Sequence, residues 1–524
     1  MLDQKGSIWQ NGYTHAGRFG LDYDLSSRDR ITWAVNAKLE RYDFDFDIQT
    51  DVFASGEAYR LGLPRQGINS RLTLEEEAEQ TVETSLNYRH DFGKEDHVLT
   101  ADLAYTRGRE TEDNRSDEYI IAVGTQRRDV PDVVQEADAL ETQLMLLAQA
   151  DYVNPLSEKL KIEAGYRGNF RYLTNDFEIR DIDPLSGQST INPATNMFTY
   201  DENINAAYGI VAVELGQWDL QAGLRYEHTL LYTRLVDTGQ DTLRKYGNLF
   251  PTLHLGYDLG NGHLVQFSYS QRIQRPGFRD LNPFFTYANP TNLFAGNPGL
   301  NPEFTDSYEI NYLKNWDKVT LSNSVYYRYS TDVIQRLTLP SDSSGSTLTR
   351  PENLATENSG GYELVLSSQL RSWWNVDASG NLFYSQLNAQ ELDPSYNQQF
   401  VSWTARFNSR MSFKRWFDFQ MLVNYDAPRK NVQGNTFSSW NLDFGLSREV
   451  LNQRGVLAFR ASDVFWTTRF KSDGQQDSLR FTREFRRQTQ RFIISFTYLI
   501  NQKNQKRGKS NDRQNFGGEG GGDF

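Results

Sequence analysis

The stretch Leu264–Tyr312, LVQFSYSQRIQRPGFRDLNPFFTYANPTNLFAGNPGLNPEFTDSYEINY, decides the fold. It opens as an alternating strand. Val265, Phe267 and Tyr269 face one way; Gln266, Ser268 and Ser270 face the other. It closes as a second strand, with Tyr308, Ile310 and Tyr312 on one face. Between them lie Pro276, Pro283, Pro290, Pro298 and Pro302, too many missing donors for a strand interior. Two half-apolar strands joined by a long proline-rich loop predict a sheet with an elaborate connection.

The same alternation recurs along the chain. Phe19, Leu21, Tyr23 and Leu25 alternate with Gly20, Asp22 and Asp24. After SSRD at 26–29, Ile31, Trp33, Val35, Ala37 and Leu39 share a face. About nine residues of clean alternation is the length a tilted strand needs to cross a bilayer. The phase then flips: Phe44, Phe46 and Ile48 take one face and Asp43, Asp45 and Asp47 the other. A bulge, or a strand running on beyond the membrane, would produce that flip. Trp218, Leu220, Ala222, Leu224 and Tyr226 form another row, as do Phe492, Ile494, Phe496, Tyr498 and Ile500. Residues 49–79 and 109–138 are expected to be irregular acidic loops, and 335–357 a polar one.

Composition fits this pattern. The 524 residues include 32 Phe, 28 Tyr and 10 Trp, yet mean hydropathy is only −0.67. No run of 18 apolar residues offers a membrane helix. Strands that meet lipid with every second residue, and carry aromatic girdles, explain both facts. The absence of cysteine excludes disulfides, Cys-based zinc sites and a Cys nucleophile. A net charge of −13 argues against nucleic acid as a partner.

Short and long links alternate along the sequence. That is the pattern of periplasmic turns and extracellular loops in outer-membrane barrels. Propeller blades share part of it, but no blade repeat is present. The expected fold is all-β: a large antiparallel transmembrane barrel of about nineteen strands. An odd count puts residue 15 and the C-terminus on opposite sides, whereas complete bacterial barrels have even counts. The expectation is therefore a 22-stranded barrel lacking roughly three strands, of the size of plugged transporters. Residues 1–14 are then the remnant of an extracellular loop, 15–500 the barrel, and 501–524 a disordered Gly-rich periplasmic tail. The start, MLDQKGSIWQNGYTHAG, has no signal-peptide character.

The proline-rich link also carries a resemblance. Arg275-Pro276, Asn282-Pro283-Phe284, Gly296-Asn297-Pro298, Leu300, Pro302-Glu303 and Phe304-Thr305 resemble a segment of TonB-dependent receptor-like outer-membrane proteins of the Bacteroidota type. A weaker strand-and-turn resemblance covers most of 15–500. In that family a segment like RFGLDYDLSSRDRITW follows a plug domain and the first strands; neither plug nor TonB box is recognisable here. The resemblance implies energised nutrient uptake in the outer membrane. It implies partners in outer-membrane lipid and lipopolysaccharide, in the TonB complex through the plug, and in a surface lipoprotein. Iron chelates, cobalamin, glycans and peptides are all open as substrates. The alternative is a binding or adhesion barrel that never transports.

Enzyme motifs are missing: there is no HExxH, GxSxG or strand-following GxGxxG. Gly508-Lys509-Ser510 ends like a phosphate-binding loop, but Lys503 stands where its first Gly belongs. No cofactor, catalytic or metal residues are assigned. His90 and His97 read as ordinary barrel residues. Asp43, Asp45 and Asp47 could offer oxygen ligands to calcium, but a solvated rim is the simpler reading. Arg272, Arg275 and Arg279 either meet an anionic ligand or plug, or anchor the loop, which is favoured. Arg480, Arg483, Arg486, Arg487 and Arg491 either meet lipopolysaccharide phosphate or line the lumen.

Overall fold

The computed structural model describes residues 2–498 apart from 54–63, 128, 284–291, 342–345, 390–395, 414–415, 453 and 477–478. The sequence expectations for Phe284 and the 501–524 tail lie outside the described residues. Long antiparallel strands begin at once: β1 (Leu2–Asp24), β2 (Asp29–Val52), β3 (Gly67–Asp91), β4 (Val98–Ala122), β5 (Val133–Pro155) and β6 (Leu160–Ile182). A three-residue β7 (Ser189–Ile191) leans on β6. The ladder continues through β8 (Asn196–Leu215), β9 (Trp218–Leu235), β10 (Asp241–Gly260) and β11 (His263–Gln274). The proline-rich link holds a one-turn helix, α1 (Phe278–Leu281), and β12 (Asn292–Phe294), then enters β13 (Glu303–Asn315). Next come β14 (Val319–Pro340), β15 (Thr347–Arg371), β16 (Trp374–Asn388), β17 (Gln398–Ser412) and β18 (Asp418–Asp426). Short β19 (Arg429–Lys430) and β20 (Gly434–Thr436) precede β21 (Ser439–Val450) and β22 (Gly455–Ser462). Finally β23 (Phe470–Gln476) and β24 (Leu479–Phe485) precede β25 (Arg491–Tyr498).

One sheet takes 21 of these strands; β19, β20, β23 and β24 make a second. Without the three-residue β7 and β12, nineteen strands of the large sheet each lie antiparallel to their sequence neighbour. Among the described residues the end strands have one partner each: β1 pairs with β2, and β25 with β22. The links alternate as expected, from Gly216–Gln217 or Asn261–Gly262 at one end to the 28-residue span 275–302 at the other.

The register sorts side chains into two faces. Ile310 lies opposite Val325, and Val325 opposite Tyr362. Val325 is 60% exposed, whereas its neighbours Ser324 and Tyr326 are 7% and 5% exposed. The row Leu321, Val325, Tyr327 therefore faces outward, and Ser322, Ser324 and Arg328 inward. The outward row on β2 runs Ile31, Trp33, Val35, Ala37, Leu39, then turns to Arg41, Asp43, Asp45 and Asp47. On β4 it runs Leu99, Ala101, Leu103, Tyr105, then Arg107 and Arg109. The apolar part always adjoins the short turns, which marks the membrane-crossing length.

Three expectations are corrected. The phase flip at Asp43 is no bulge, because β2 pairs without a shift from Asp29 to Val52 on β3 and from Arg30 to Val52 on β1. The strand runs on past the lipid, so the outward face becomes charged and Phe44, Phe46 and Ile48 turn inward. Most of 49–79, 109–138 and 335–357 is likewise strand, not loop: β3 starts at Gly67, β4 ends at Ala122, β5 starts at Val133, β14 ends at Pro340 and β15 starts at Thr347. Above the lipid band both faces are wet, so the apolar alternation that betrays a strand disappears. Residues 2–14, expected as loop, belong to β1 for the same reason.

Candidate functional site

The described residues of the link, 275–283 and 292–302, form a strap on the inner face of the sheet. Phe278, Leu281 and Leu300 are buried with Leu173, Phe198, Tyr200 and Leu231 in one apolar cluster. Those four wall residues come from β6, β8 and β9 on a common face. The Phe278 ring meets Phe198 at 5.5 Å and Tyr200 edge-on at 6.0 Å. Apolar burial thus draws the strap down onto the wall.

Polar contacts fix its register. Arg275 donates to Glu227 at 2.7 Å and to the Thr229 hydroxyl at 2.9 Å, while Arg225 donates to the other Glu227 oxygen at 2.6 Å. Arg244 clamps the far end, donating to the Pro298 carbonyl at 2.8 Å, to Asn301 at 3.2 Å and to the Leu300 carbonyl. Asn297 closes its own turn by accepting from the Gly299 N–H at 2.8 Å. Its amide donates to the Pro351 carbonyl at 3.1 Å and to Glu352 at 2.9 Å. Asn353 exchanges bonds with the Asn301 backbone, and Glu303 accepts from the Ile334 N–H at 2.5 Å. β12 adds a parallel edge to Thr347–Thr349 of β15. The upper β14–β15 hairpin and the strap are therefore one body.

Gly296 shows why the signature needs glycine. Its N–H donates to the Asn282 carbonyl at 2.7 Å. A Cβ there would stand 2.4 Å from that carbonyl oxygen and 2.8 Å from the Arg279 carbonyl. Both are backbone atoms and cannot swing away. Gly296→Ala should open the α1 turn at a cost of about 1–3 kcal/mol, the range for overpacking. Limited proteolysis within 275–302 checks this: the variant should be cut well before the parent.

Facing the strap is an acidic wall that single-sequence reading missed. The register sets Glu40, Glu79 and Glu110 side by side, then Glu77 with Glu112, and Glu110 with Glu141. Glu75 continues the β3 row. The outward apolar rows end at Val82 on β3 and Tyr105 on β4, so the β3 and β4 members of this wall lie above the membrane-crossing part. Burial, then the neighbouring Glu112, Glu77 and Glu110, push Glu75 up to about 8. Burial, then Glu141, push Glu110 up to about 7. Arg279 on α1 opposes the rise at Glu77, Glu110 and Glu112. A carboxyl whose folded value is raised above 4.5 stabilises the fold fully below the unfolded value. That contribution is lost as pH rises through the folded value. The urea midpoint should thus fall between about pH 5 and pH 8, and Glu75→Gln with Glu110→Gln should flatten the slope.

The other sequence candidates separate. Arg275 is an anchor, Arg279 faces the acidic wall, and Arg272 stands on β11 opposite Thr305. Asp43, Asp45 and Asp47 lie on the outward face, with Arg41 3.8 Å from Asp43. Among the described residues no group of three or more His, Asp or Glu is arranged to hold a metal. His90 meets Asp29 at 2.6 Å and His97 meets the Tyr152 hydroxyl at 3.0 Å, with Phe92 packed between the rings. Arg480 and Arg483 belong to β24, Arg486 and Arg487 to the link after it, and Arg491 opens β25. Asp463 was also missed. It is 2% exposed and accepts from the Thr467 and Thr468 N–H groups at 3.0 and 3.1 Å and from the Thr489 hydroxyl at 2.5 Å. It ties the long-loop end of β22 to β25.

An antiparallel sheet of this size, apolar outside near the short turns and polar inside with a folded-in strap, defines an outer-membrane barrel protein. Residues 90–498 match the family described as outer membrane protein beta-barrel family, and the chain belongs to it. Its place is the outer membrane. Solved structures share the fold at low identity. The ferric yersiniabactin uptake receptor FyuA from Yersinia pestis is 12% identical, with a TM-score of 0.55 over 94% of this chain and 79% of that one. The copper transporter OprC is 12% identical, with a TM-score of 0.57 over 95% and 80%. The siderophore receptor PiuA from Acinetobacter baumannii is 12% identical, with a TM-score of 0.57 over 94% and 81%. A comparison with curated proteins gives no match.

Proposed function

We propose that this chain is the barrel of a TonB-dependent receptor that takes up a scarce nutrient across the outer membrane. One observation carries the reading: nearly the whole chain shares its fold with a ferric yersiniabactin uptake receptor, a copper transporter and a siderophore receptor. The strap supports it. A strap packed and hydrogen-bonded onto the inner face would narrow the lumen at a fixed place, as selective passage requires and a bare adhesion scaffold does not. The Gly296–Thr305 segment supports a Bacteroidota-type receptor. Energy coupling would come from the TonB complex through a plug, and a surface lipoprotein could hand over substrate. Outer-membrane lipid would meet the outward apolar rows. Lipopolysaccharide phosphate would meet Arg107 and Arg109, exposed just above the apolar row of β4. The chemistry of this reading is transport, not catalysis.

The test is solute accumulation in cells with and without the native gene, using ferric chelates, copper, cobalamin, oligosaccharides and peptides. One of these solutes should accumulate only when both the gene and the proton-motive force are present. Surface binding of a solute without accumulation would establish the non-transporting receptor instead.

A further inference from the structure

We propose that the second sheet, β19–β20–β23–β24, is a capture surface for a multiply anionic solute. It rests on the uptake reading in naming that anion a substrate. The register gives this sheet two unlike faces. Ser472, Gly474 and Arg483 share one face. Ser472 and Gly474 are buried there, and Arg483 donates to the Thr349 hydroxyl of β15 at 3.2 Å. This face packs onto the β14–β15 hairpin, where Gln433 also exchanges bonds with Thr338 at 2.8 and 2.9 Å. Thr349 is the residue whose carbonyl accepts from Ala295 of the strap. The second sheet, the hairpin and the strap are thus joined at one point.

The opposite face is open and basic. It carries Lys430, Lys471 and Arg480, and Arg469 and Arg486 flank it. Among the described residues its two carboxylates are already engaged. Glu484 is held by Arg486 at 2.8 Å, Lys471 at 3.2 Å and Arg469 at 3.5 Å. Asp473 accepts the backbone and side-chain N–H groups of Asn435 at 2.9 and 3.0 Å. Among the described residues five cations against two carboxylates leave this face net positive on a chain whose total charge is −13. Aromatic rings steady the cations: Lys471 lies 5.4 Å from the Phe437 ring and Arg486 5.8 Å from the Trp466 ring. Arg486 spends its Nε and one Nη on Glu484, so the guanidinium edge this face offers to carboxylate or phosphate oxygens is that of Arg480. Arg480 spends one nitrogen on Gln475 at 3.1 Å and is otherwise exposed. The sheet lies beyond Phe492, where the outward apolar row of β25 ends, so it meets solutes arriving from the long-loop side.

The experiment is isothermal titration of the full 524-residue chain, refolded in detergent, with citrate and with pyrophosphate. A lipopolysaccharide-micelle arm and a maltose control accompany it. Saturable binding of citrate or pyrophosphate that weakens with added salt is expected. Lys471→Gln, Arg480→Gln and Arg486→Gln together should weaken it about tenfold or more, a loss of about 1.4 kcal/mol per decade. Arg480→Gln leaves the Glu484 knot intact and should alone weaken it several-fold, so misfolding of the triple variant cannot hide the result. Failure of both probes to bind overturns the proposal, as does binding unchanged in Arg480→Gln. Binding confined to lipopolysaccharide micelles also overturns it and assigns the face to outer-leaflet lipid. Accumulation in cells that persists with the triple variant defeats this proposal alone. Titration binding without accumulation defeats the uptake reading alone.

Discussion

Glu227→Ala should destabilise the strap more than any other single change at its base, by about 3–5 kcal/mol, the cost of removing one partner of a buried ion pair. Glu227 is 9% exposed and takes Arg225 on one oxygen and Arg275 on the other. Without it two guanidiniums remain on the inner face with no carboxylate between them. Arg275 would keep its bond to Thr229, at 2.9 Å, and its place 6.0 Å from the Tyr246 ring, but no charged partner. Arg275 begins the strap directly after β11, so its release frees the whole 275–302 segment at one end. Arg244 would still hold the other end through the Pro298 and Leu300 carbonyls. The loss should therefore be local. Hydrogen exchange should rise across residues 275–283 and stay unchanged across β3 and β4. Glu227→Gln keeps the shape and one acceptor, and should cost less than half as much. Equal protection in parent and Glu227→Ala would show that apolar packing of Phe278 and Leu300 holds the strap unaided.

The architecture was legible wherever one side of a strand meets lipid. Ile31–Leu39, Trp218–Tyr226 and Phe492–Tyr498 announce themselves because outward and inward side chains differ in kind. The same physics hid the upper strands. At Asp43–Asp47, or along Glu75–Glu79, neither side meets lipid and charged residues stand along the run, so alternation carries little polarity contrast. Gly67–Glu79 therefore looks like loop although it is paired on both sides. The strap was legible as a unit from its prolines and its Gly296-Asn297-Pro298 turn. Its partners were not. Glu227, Arg244, Asn353 and Thr349 lie tens of residues away, and only the register brings them to it. The acidic wall was hidden in the same way. Glu40, Glu77, Glu110 and Glu141 are single residues on four strands, adjacent only after pairing. Asp463 carries no composition signal at all, since its importance lies in backbone N–H groups that converge on it. The five arginines of 480–491 were visible as a cluster, but the second sheet that turns Arg483 to a packed face and Arg480 to an open one was not.

The lipid face yields the sharpest contrast between neighbouring residues. Leu321→Arg should cost roughly 2–4 kcal/mol if it meets the bilayer near its midplane, and Ser322→Arg close to nothing. Leu321 and Ser322 are consecutive on β14, so local strand propensity and distance from the turn are nearly the same for both. Only the face differs. Leu321 lies opposite Leu366 in a row continued by Val325 and Tyr327, and both of these side chains are exposed. Such exposure of large apolar groups makes sense only against hydrocarbon. Ser322 faces inward, where its hydroxyl accepts from the Asn311 amide at 2.7 Å. An arginine there replaces one polar group with another in a wet lumen. On the lipid side the guanidinium must shed water or drag it into the bilayer. Reversible urea unfolding in phospholipid vesicles, followed by tryptophan fluorescence, measures both variants on one scale. Leu321→Arg should lower the midpoint clearly while Ser322→Arg leaves it in place. A midpoint equally unchanged in both would mean that β14 does not present Leu321 to lipid, and the inward and outward assignments would have to be exchanged along the ladder.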